Sequence, residues 1–178
     1  MKIGVLSDTH GRVAQTRAAV ELLLKEQVEV LIHCGDLNTR EIVETCSVLP
    51  FYFAFGNHDS DMTSELRRAA TELGVNCLGW GGVIELASRR IGIHHGHMRV
   101  DRERVERAAP DYLLTGHTHE AADVRDILQV DGVFGGVPTR RINPGALYRA
   151  KRYTVATLDL NSDQLEFLEV VRVGRDIG

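Results

Sequence analysis

At 178 residues, with 43% hydrophobic and 26% charged side chains, the chain is long enough for one domain with a sizeable buried core. Those proportions exclude a disordered chain, a collagen-like repeat and a disulfide scaffold. A formal charge of −4 leaves no surplus of positive charge for broad docking onto nucleic acid or an anionic membrane.

The three cysteines, Cys34, Cys46 and Cys77, are widely separated and form no CxxC pair, so they read as reduced core thiols of a cytoplasmic protein. Met1-Lys2 precedes only a short apolar run, Ile3 to Leu6, before Ser7-Asp8. A signal peptide or a membrane span needs a longer one, so neither is expected.

Ile3 to Ser7 reads as a short buried strand. Ala14, Ala18 and Leu22 then recur at i+4, widened by Val20, Leu23 and Leu24, which predicts an amphipathic helix over 13–26. Val28 to Ile32 is a second strand, and Thr39 is placed to cap a helix running to about Ser47. Phe51 to Phe55 is a third strand. Met62, Leu66, Ala69 and Leu73 mark a helix that Gly74 ends. Strands joined by helices in this order imply a parallel sheet with right-handed crossovers.

The second half is strand-rich. Val75–Leu78, Val83–Leu86 and Ile91–His94 form a meander, a helix over 101–109 stops at Pro110, and Tyr112–Thr115 is a further strand. Short strands are predicted at 127–130, 132–137, 140–143, 153–160 and 164–171. The expected architecture is two packed sheets with helices outside, in a single domain over 1–178 with no linker and no cap domain.

Nearly every candidate ligand follows directly on an apolar run. Asp8 and His10 follow Ile3–Ser7, Asp36 follows Val30–Ile32, Asn57 and His58 follow Phe51–Phe55, His95 and His97 follow Ile91–Ile93, and His117 and His119 follow Tyr112–Thr115. In an α/β sheet the crevice beyond the carboxyl ends of the strands is where ligands bind. Alone, D-x-H or H-x-H is weak; repeated at successive strand ends, each beside a glycine that relieves crowding, it points to a metal centre.

This pattern, from Asp8 to His119, resembles the calcineurin-like metallophosphoesterases, and most of all their small, capless, YfcE-type phosphodiesterase branch. The resemblance implies a four-layer α/β/β/α sandwich of two mixed sheets flanked by helices, with two metal ions at the sheet ends. Asp8, His10, Asp36 and His119 would hold the first, and Asp36, Asn57, His95 and His117 the second, with Asp36 bridging. A nitrogen/oxygen donor set without thiolate suits Mn²⁺, placed first here, or Fe, Zn²⁺, Co²⁺ or Ni²⁺, better than Mg²⁺ or Ca²⁺. A shared carboxylate can hold two cations roughly 3.5–4 Å apart, the separation used in two-metal hydrolysis.

The expected activity is hydrolysis of small phosphate diesters or nucleotides by in-line attack of a hydroxide bridging the two ions. His58 would bind the phosphate or protonate the leaving oxygen, and Asp59 would orient His58 or serve a helix start. His97 is expected to support the site from behind. His33 and His94 are read as structural, Arg12, Arg99 and Arg102 as solvated arginines, and Trp80 as a turn residue. The resemblance places Asn143-Pro144-Gly145 at the site's edge, where Ala146 stands in place of the relatives' serine. Thr39 stands where larger relatives have a second aspartate. Two other readings are a protein-binding scaffold like the retromer subunit of the same fold, and a single-strand nuclease, which the acidic balance disfavours. The oligomeric state is left open, a homo-oligomer included.

Overall fold

The computed structural model describes residues 1–174. Its elements in chain order are β1 (Lys2–Leu6), α1 (Val13–Lys25), β2 (Val30–His33), α2 (Arg40–Cys46), β3 (Phe51–Phe53), a 3₁₀ turn (Asn57–Met62), α3 (Thr63–Leu73), β4 (Asn76–Cys77), β5 (Gly81–Leu86) and β6 (Arg89–His94). They continue with α4 (Arg99–Glu106), β7 (Tyr112–Leu114), β8 (Ala121–Leu128), β9 (Val137–Pro144), β10 (Thr154–Asp159) and β11 (Gln164–Glu169).

The strands form two mixed sheets. The first has the order β11-β10-β1-β2-β3-β4, with β1 to β4 parallel and β10 and β11 antiparallel to their neighbours. The second has the order β5-β6-β7-β9-β8, with a parallel centre and an antiparallel strand on each edge.

The period-2 alternation of strand side chains divides the apolar residues between two cores. Ile3, Val5, Val30 and Ile32 meet Ile91, Ile93, Tyr112, Leu114 and Ile142 between the sheets. Their neighbours Leu6, Leu31, Phe51 and Phe53 point the other way, against Ala19 and Leu23 of α1, Ile42 of α2 and Leu66 of α3. Each such buried side chain contributes roughly 1.5–3 kcal/mol. Helices therefore cover the outer face of the first sheet, and Val105 of α4 is buried against the second. The sheets are pinned face to face, and the loops at their carboxyl edges are held in fixed relation.

The strand-rich half differs from the sequence expectation in three places. Val75–Leu78 does not open a meander: α3 returns the chain alongside β3, so β4 closes the first sheet in parallel with β3, and only β5 and β6 pair as a hairpin in the second. Instead of short strands at 127–130, 132–137 and 140–143, β8 and β9 are two long paired strands around a turn. Most of β8 is exposed, so burial never imposed the apolar rhythm that marks a strand, and the apolar pair Val133 and Phe134 sits exposed in the turn. Also, α4 begins at Arg99 and ends at Glu106, before Ala109 takes a left-handed φ of 51°. Thr39 occupies the start of α2 with extended backbone but makes no side-chain cap bond. Among the described residues Cys34, Cys46 and Cys77 are free, and no helix is long and apolar enough to cross a membrane.

Candidate metal centre

The parallel strands of both sheets end at one edge, and the loops there carry the polar residues. Asp8 and His10 follow β1, Asp36 follows β2, Asn57 and His58 open the 3₁₀ turn after β3, His95 follows β6, and His117 and His119 follow β7. Asp8, His10, Asp36, His117 and His119 all take left-handed backbone conformations, with φ of 53°, 45°, 60°, 71° and 61°. Side chains with a Cβ resist that region at a cost of roughly 1–3 kcal/mol each, so the surroundings must enforce it. They do: Asp8 N–H donates to the Gly35 carbonyl and His10 N–H to that of Asp36, both at 3.0 Å. Two glycines make the approach feasible. A Cβ on Gly116 would lie 2.1 Å from Ser7 Oγ, and one on Gly56 would lie 2.1 Å from Asp36 Oδ1.

Asp36 Oδ2 lies 3.4 Å from both His10 Nε2 and His95 Nε2, between the two imidazoles. Its other oxygen accepts the His58 N–H at 2.9 Å. Asp8 Oδ1 lies 3.1 Å from His119 Nε2, while Asp8 Oδ2 accepts from Ser7 Oγ at 2.6 Å and from the His117 N–H at 3.1 Å. The side chains of Asp8 and His95 are fully buried, and His10 retains 9% exposure. Three donor clusters result: Asp8, His10 and His119; His10, Asp36 and His58; and Asp8, Asp36 and His95.

Burial raises the pKa of a carboxyl, yet Asp36 is held down to about 2 because the His95 hydrogen bond and charge outweigh it. Asp8 is likewise lowered against its burial, chiefly by His119. His95 rises, since Asp36 and Asp8 outweigh burial, and His119 rises chiefly because the Asp8 carboxylate lies beside it. Burial pushes His10 down to about 4, so its ring is neutral with a free lone pair.

The donor set fits divalent cations on three observations. Asp8 Oδ1 and His10 Nε2 are buried and make no hydrogen bond among the described residues. A buried orphan pair is a place for an ion. His95 Nδ1 faces the Cys34 carbonyl at 2.9 Å and must donate to it, which leaves Nε2 facing the Asn57 Oδ1 at 3.1 Å. Two acceptors at that distance need a proton or a cation between them. The backbone of Arg149 helps to hold the His119 pKa up, as that of Cys34 does for His95.

The other histidines and polar residues fall as follows. His117 is exposed, its ring 5.2 Å from that of His95, and it stands outside the three clusters. His58 is exposed at the mouth, its ring 4.9 Å from that of His10. Asp59 is fully buried, and its carboxylate accepts the backbone N–H groups of Gly56 at 2.7 Å, Asn38 at 2.7 Å and Asp36 at 2.9 Å. It therefore ties the Asp36 loop to the turn carrying Asn57 and His58. Gly35 N–H donates to His33 Nδ1, so His33 Nε2 donates to Thr9 Oγ1 at 3.0 Å and braces the Asp8 loop from beneath. His97 lies between Trp80 and His117, with ring separations of 5.8 and 6.1 Å. His94 is buried and senses Arg141 and Arg102.

Asn143 donates to the Gly116 carbonyl at 2.9 Å and to Thr118 Oγ1 at 3.0 Å, fastening the His117 loop. Ala146 is fully buried just beyond it. Sequence reasoning missed Tyr148 and Arg149. The Tyr148 ring lies 4.7 Å from that of His10, and Arg12 and Arg149 sit over it at 5.0 and 5.1 Å. Arg12 is thus part of the wall of a groove of about 430 Å³ that also reaches Asp36, Asn57, His58 and His119. The signal available was position: 146–149 follows directly on a strand that runs parallel to β7.

Residues 1–163 match the model of the calcineurin-like phosphoesterase superfamily domain. The chain is 29% identical over 150 residues to phosphodiesterase MJ0936 of Methanocaldococcus jannaschii, spanning 78% of this chain and 90% of that one. A solved structure described as a novel archaeal phosphodiesterase superposes with a TM-score of 0.76 at 27% identity, covering 96% of this chain and 100% of that chain. The fold is also that of the E. coli phosphoesterase YfcE, with a TM-score of 0.63, 18% identity and coverage of 96% and 100%.

Proposed function

Because the chain belongs to the calcineurin-like phosphoesterase superfamily, we propose that it is a phosphodiesterase hydrolysing small phosphate diesters or nucleotides at a dinuclear metal centre. The observation that carries this reading is Asp36 Oδ2, 3.4 Å from imidazole nitrogens on two sides. Asp8, His10, Asp36 and His119 would hold one ion, and Asp36, Asn57, His95 and His117 the other. Manganese is the first candidate, then Fe, Zn, Co or Ni, because the donors are nitrogen and oxygen with no thiolate. A pair of such cations would neutralise phosphate oxygens and supply, at neutral pH, an acidified water as nucleophile, conventionally a bridging hydroxide.

The chain's own residues do the rest. His58, exposed beside His10, donates a hydrogen bond to the phosphate or a proton to the leaving oxygen. Asp59 acts through position, because its three backbone bonds set the turn from which Asn57 and His58 project. Arg12 and Arg149, braced on Tyr148, bring positive charge to the groove of a protein whose net charge is −4. The reading takes the chain as a single uncapped domain, and the free cysteines accord with the cytoplasm.

The test is an activity grid on metal-stripped protein, with bis(p-nitrophenyl) phosphate and p-nitrophenyl phosphate against Mn²⁺, Ni²⁺, Co²⁺, Zn²⁺, Mg²⁺ and Ca²⁺. Transition metals should restore diester turnover, and His58→Ala should lower kcat about 10²-fold with metal content unchanged. Stoichiometric metal with no turnover under any cation would favour the scaffold instead, and equal loss of metal and rate in His58→Ala would end its separate role.

A further inference from the structure

The strands β8 and β11 are edge strands of different sheets, and a cleft of about 690 Å³ opens between them beside the metal centre. It shares His119 and Arg149 with the groove over the clustered donors, so the two adjoin across these side chains. Its far wall is the loop between β9 and β10, carrying Lys151 and Arg152, both exposed. Arg172 fixes that loop by donating to the carbonyls of Ala150 at 2.9 Å and Lys151 at 3.1 Å. The loop backbone is held in shape while its cations face solvent.

Arg149, Lys151 and Arg152 make no ion pair among the described residues. Several arginines elsewhere are matched: Arg40 with Glu44 and Glu72, Arg140 with Asp123 and Asp163, Arg141 with Glu106 and Asp126. In the cleft, Glu120 and Glu169 also line the wall, so the three cations leave a net positive charge. Phe167 supplies the remaining feature. Leu165 packs into the core between the sheets and Leu168 into the helix-covered core, so alternation along β11 turns Phe167 to the cleft side, where it is 39% exposed. An exposed aromatic beside unpaired cations is the combination that receives a nucleobase and a phosphate.

We infer that this cleft binds the far arm of the substrate, and that this arm is a nucleotide carrying a second phosphate, its base against Phe167 and that phosphate among Arg149, Lys151 and Arg152. The inference rests on the phosphodiesterase reading and narrows its substrate class. Phosphate-bearing arms should therefore be preferred over uncharged ones, through attraction that falls with added salt.

The experiment compares three diesters with the manganese-loaded protein: bis(p-nitrophenyl) phosphate, thymidylyl-thymidine, and the same dinucleotide with a 5′-phosphate. A slowly cleaved phosphorothioate of the phosphorylated dinucleotide is titrated in parallel against the metal-stripped protein, for binding alone. The phosphorylated dinucleotide should exceed the unphosphorylated one in kcat/KM by about tenfold at low salt. Lys151→Glu combined with Arg152→Glu should erase that ratio and weaken phosphorothioate binding to the same extent. Phe167→Ala should weaken both dinucleotides about fivefold relative to the aryl ester. A ratio and a binding constant equal in wild type and the double variant, while the aryl diester is still turned over, would overturn the cleft and leave the phosphodiesterase standing. Absent turnover of every diester, with the binding difference intact, would do the reverse.

Discussion

Where β7 begins beside the middle of β9, Arg140 lies between Asp123 and Asp163; where β1, β2 and β6 end, Asp8 and Asp36 face His10, His95 and His119. Both are partly or wholly buried clusters of charge, but they are satisfied differently. Arg140 forks onto both oxygens of Asp123 at 2.8 and 2.9 Å and reaches Asp163 Oδ1 at 2.6 Å, while Arg125 and the Tyr112 hydroxyl take up the rest of Asp163. Each donor has an acceptor, as in a cluster that holds a fold together. At the opposite edge Asp8 Oδ1 and His10 Nε2 have no hydrogen-bond partner among the described residues. Backbone strain does not separate the two, since Asp163 also has a left-handed φ of 60°. The unmet lone pairs do, and they mark the edge that has work left for a cation.

The largest effect expected breaks the second cluster. Asp36→Asn keeps an oxygen for the His58 N–H but removes the charge between His10 and His95. Bound manganese and diester turnover should fall by more than the roughly 10–100-fold typical of losing an outer partner of a metal ligand. Unfolding of the metal-free protein by urea should show a modest loss of stability, because burial disfavours the Asp36 charge but His95 outweighs it and the fold favours the ionised form. Retained metal together with a large loss of stability would mean that Asp36 is a structural ion like those around Arg140.

The converse experiment breaks the first cluster. In Arg140→Ala, Asp123 and Asp163 lose their shared cation. Truncating one partner of a fully buried pair costs about 3–5 kcal/mol, but both carboxylates here are about one-third exposed, so about 2 kcal/mol is expected. Turnover per bound metal should be unchanged. The depressed pKa of Asp163, near 2 because its arginine and tyrosine partners outweigh burial, gives this stability a pH signature: full above about pH 4 and lost as pH falls through 2.

The difference between the edges also explains what could be read from sequence. The first five strand–ligand units were legible because buried parallel strands impose an apolar run, and the polar residue after it announces the strand's end. Two packed sheets with helices outside followed from the order of elements, and the four-layer α/β/β/α arrangement from the family resemblance. The span from Ala121 to Val137 was not legible, because an exposed edge strand is stabilised by backbone pairing that leaves no apolar period. Asp59 was visible as an acid beside a turn, but its three backbone partners come from loops 23 and fewer residues away, and no local pattern shows them. Tyr148 and Arg149 carry no motif of their own. They matter through the loop position that Asn143 and Gly145 fix, and Asn143 was read only for its place at the site's edge.

The smallest effect sharpens the comparison from a residue that belongs to neither cluster. His94 is buried, and neither ring nitrogen has a partner among the described residues. Burial, aided by Arg141 and Arg102, pushes it down to about 3 from an ordinary value of 6.5. Below pH 6.5 the unfolded chain therefore binds a proton that the folded chain refuses, so stability is complete above that pH and declines as pH falls toward 3. Between pH 7.5 and 5 the loss should be about 1–2 kcal/mol in urea unfolding of metal-free protein. His95 and His119, with raised values, act in the opposite sense: their contribution is full below pH 6.5 and fades as pH rises through their folded values. Subtracting the pH profile of His94→Leu from that of wild type isolates the His94 share, because the metal-edge histidines are common to both. A subtracted profile that is flat across this window would show the ring charging in place, and so a water or ion reaching a pocket whose described walls offer it no hydrogen bond.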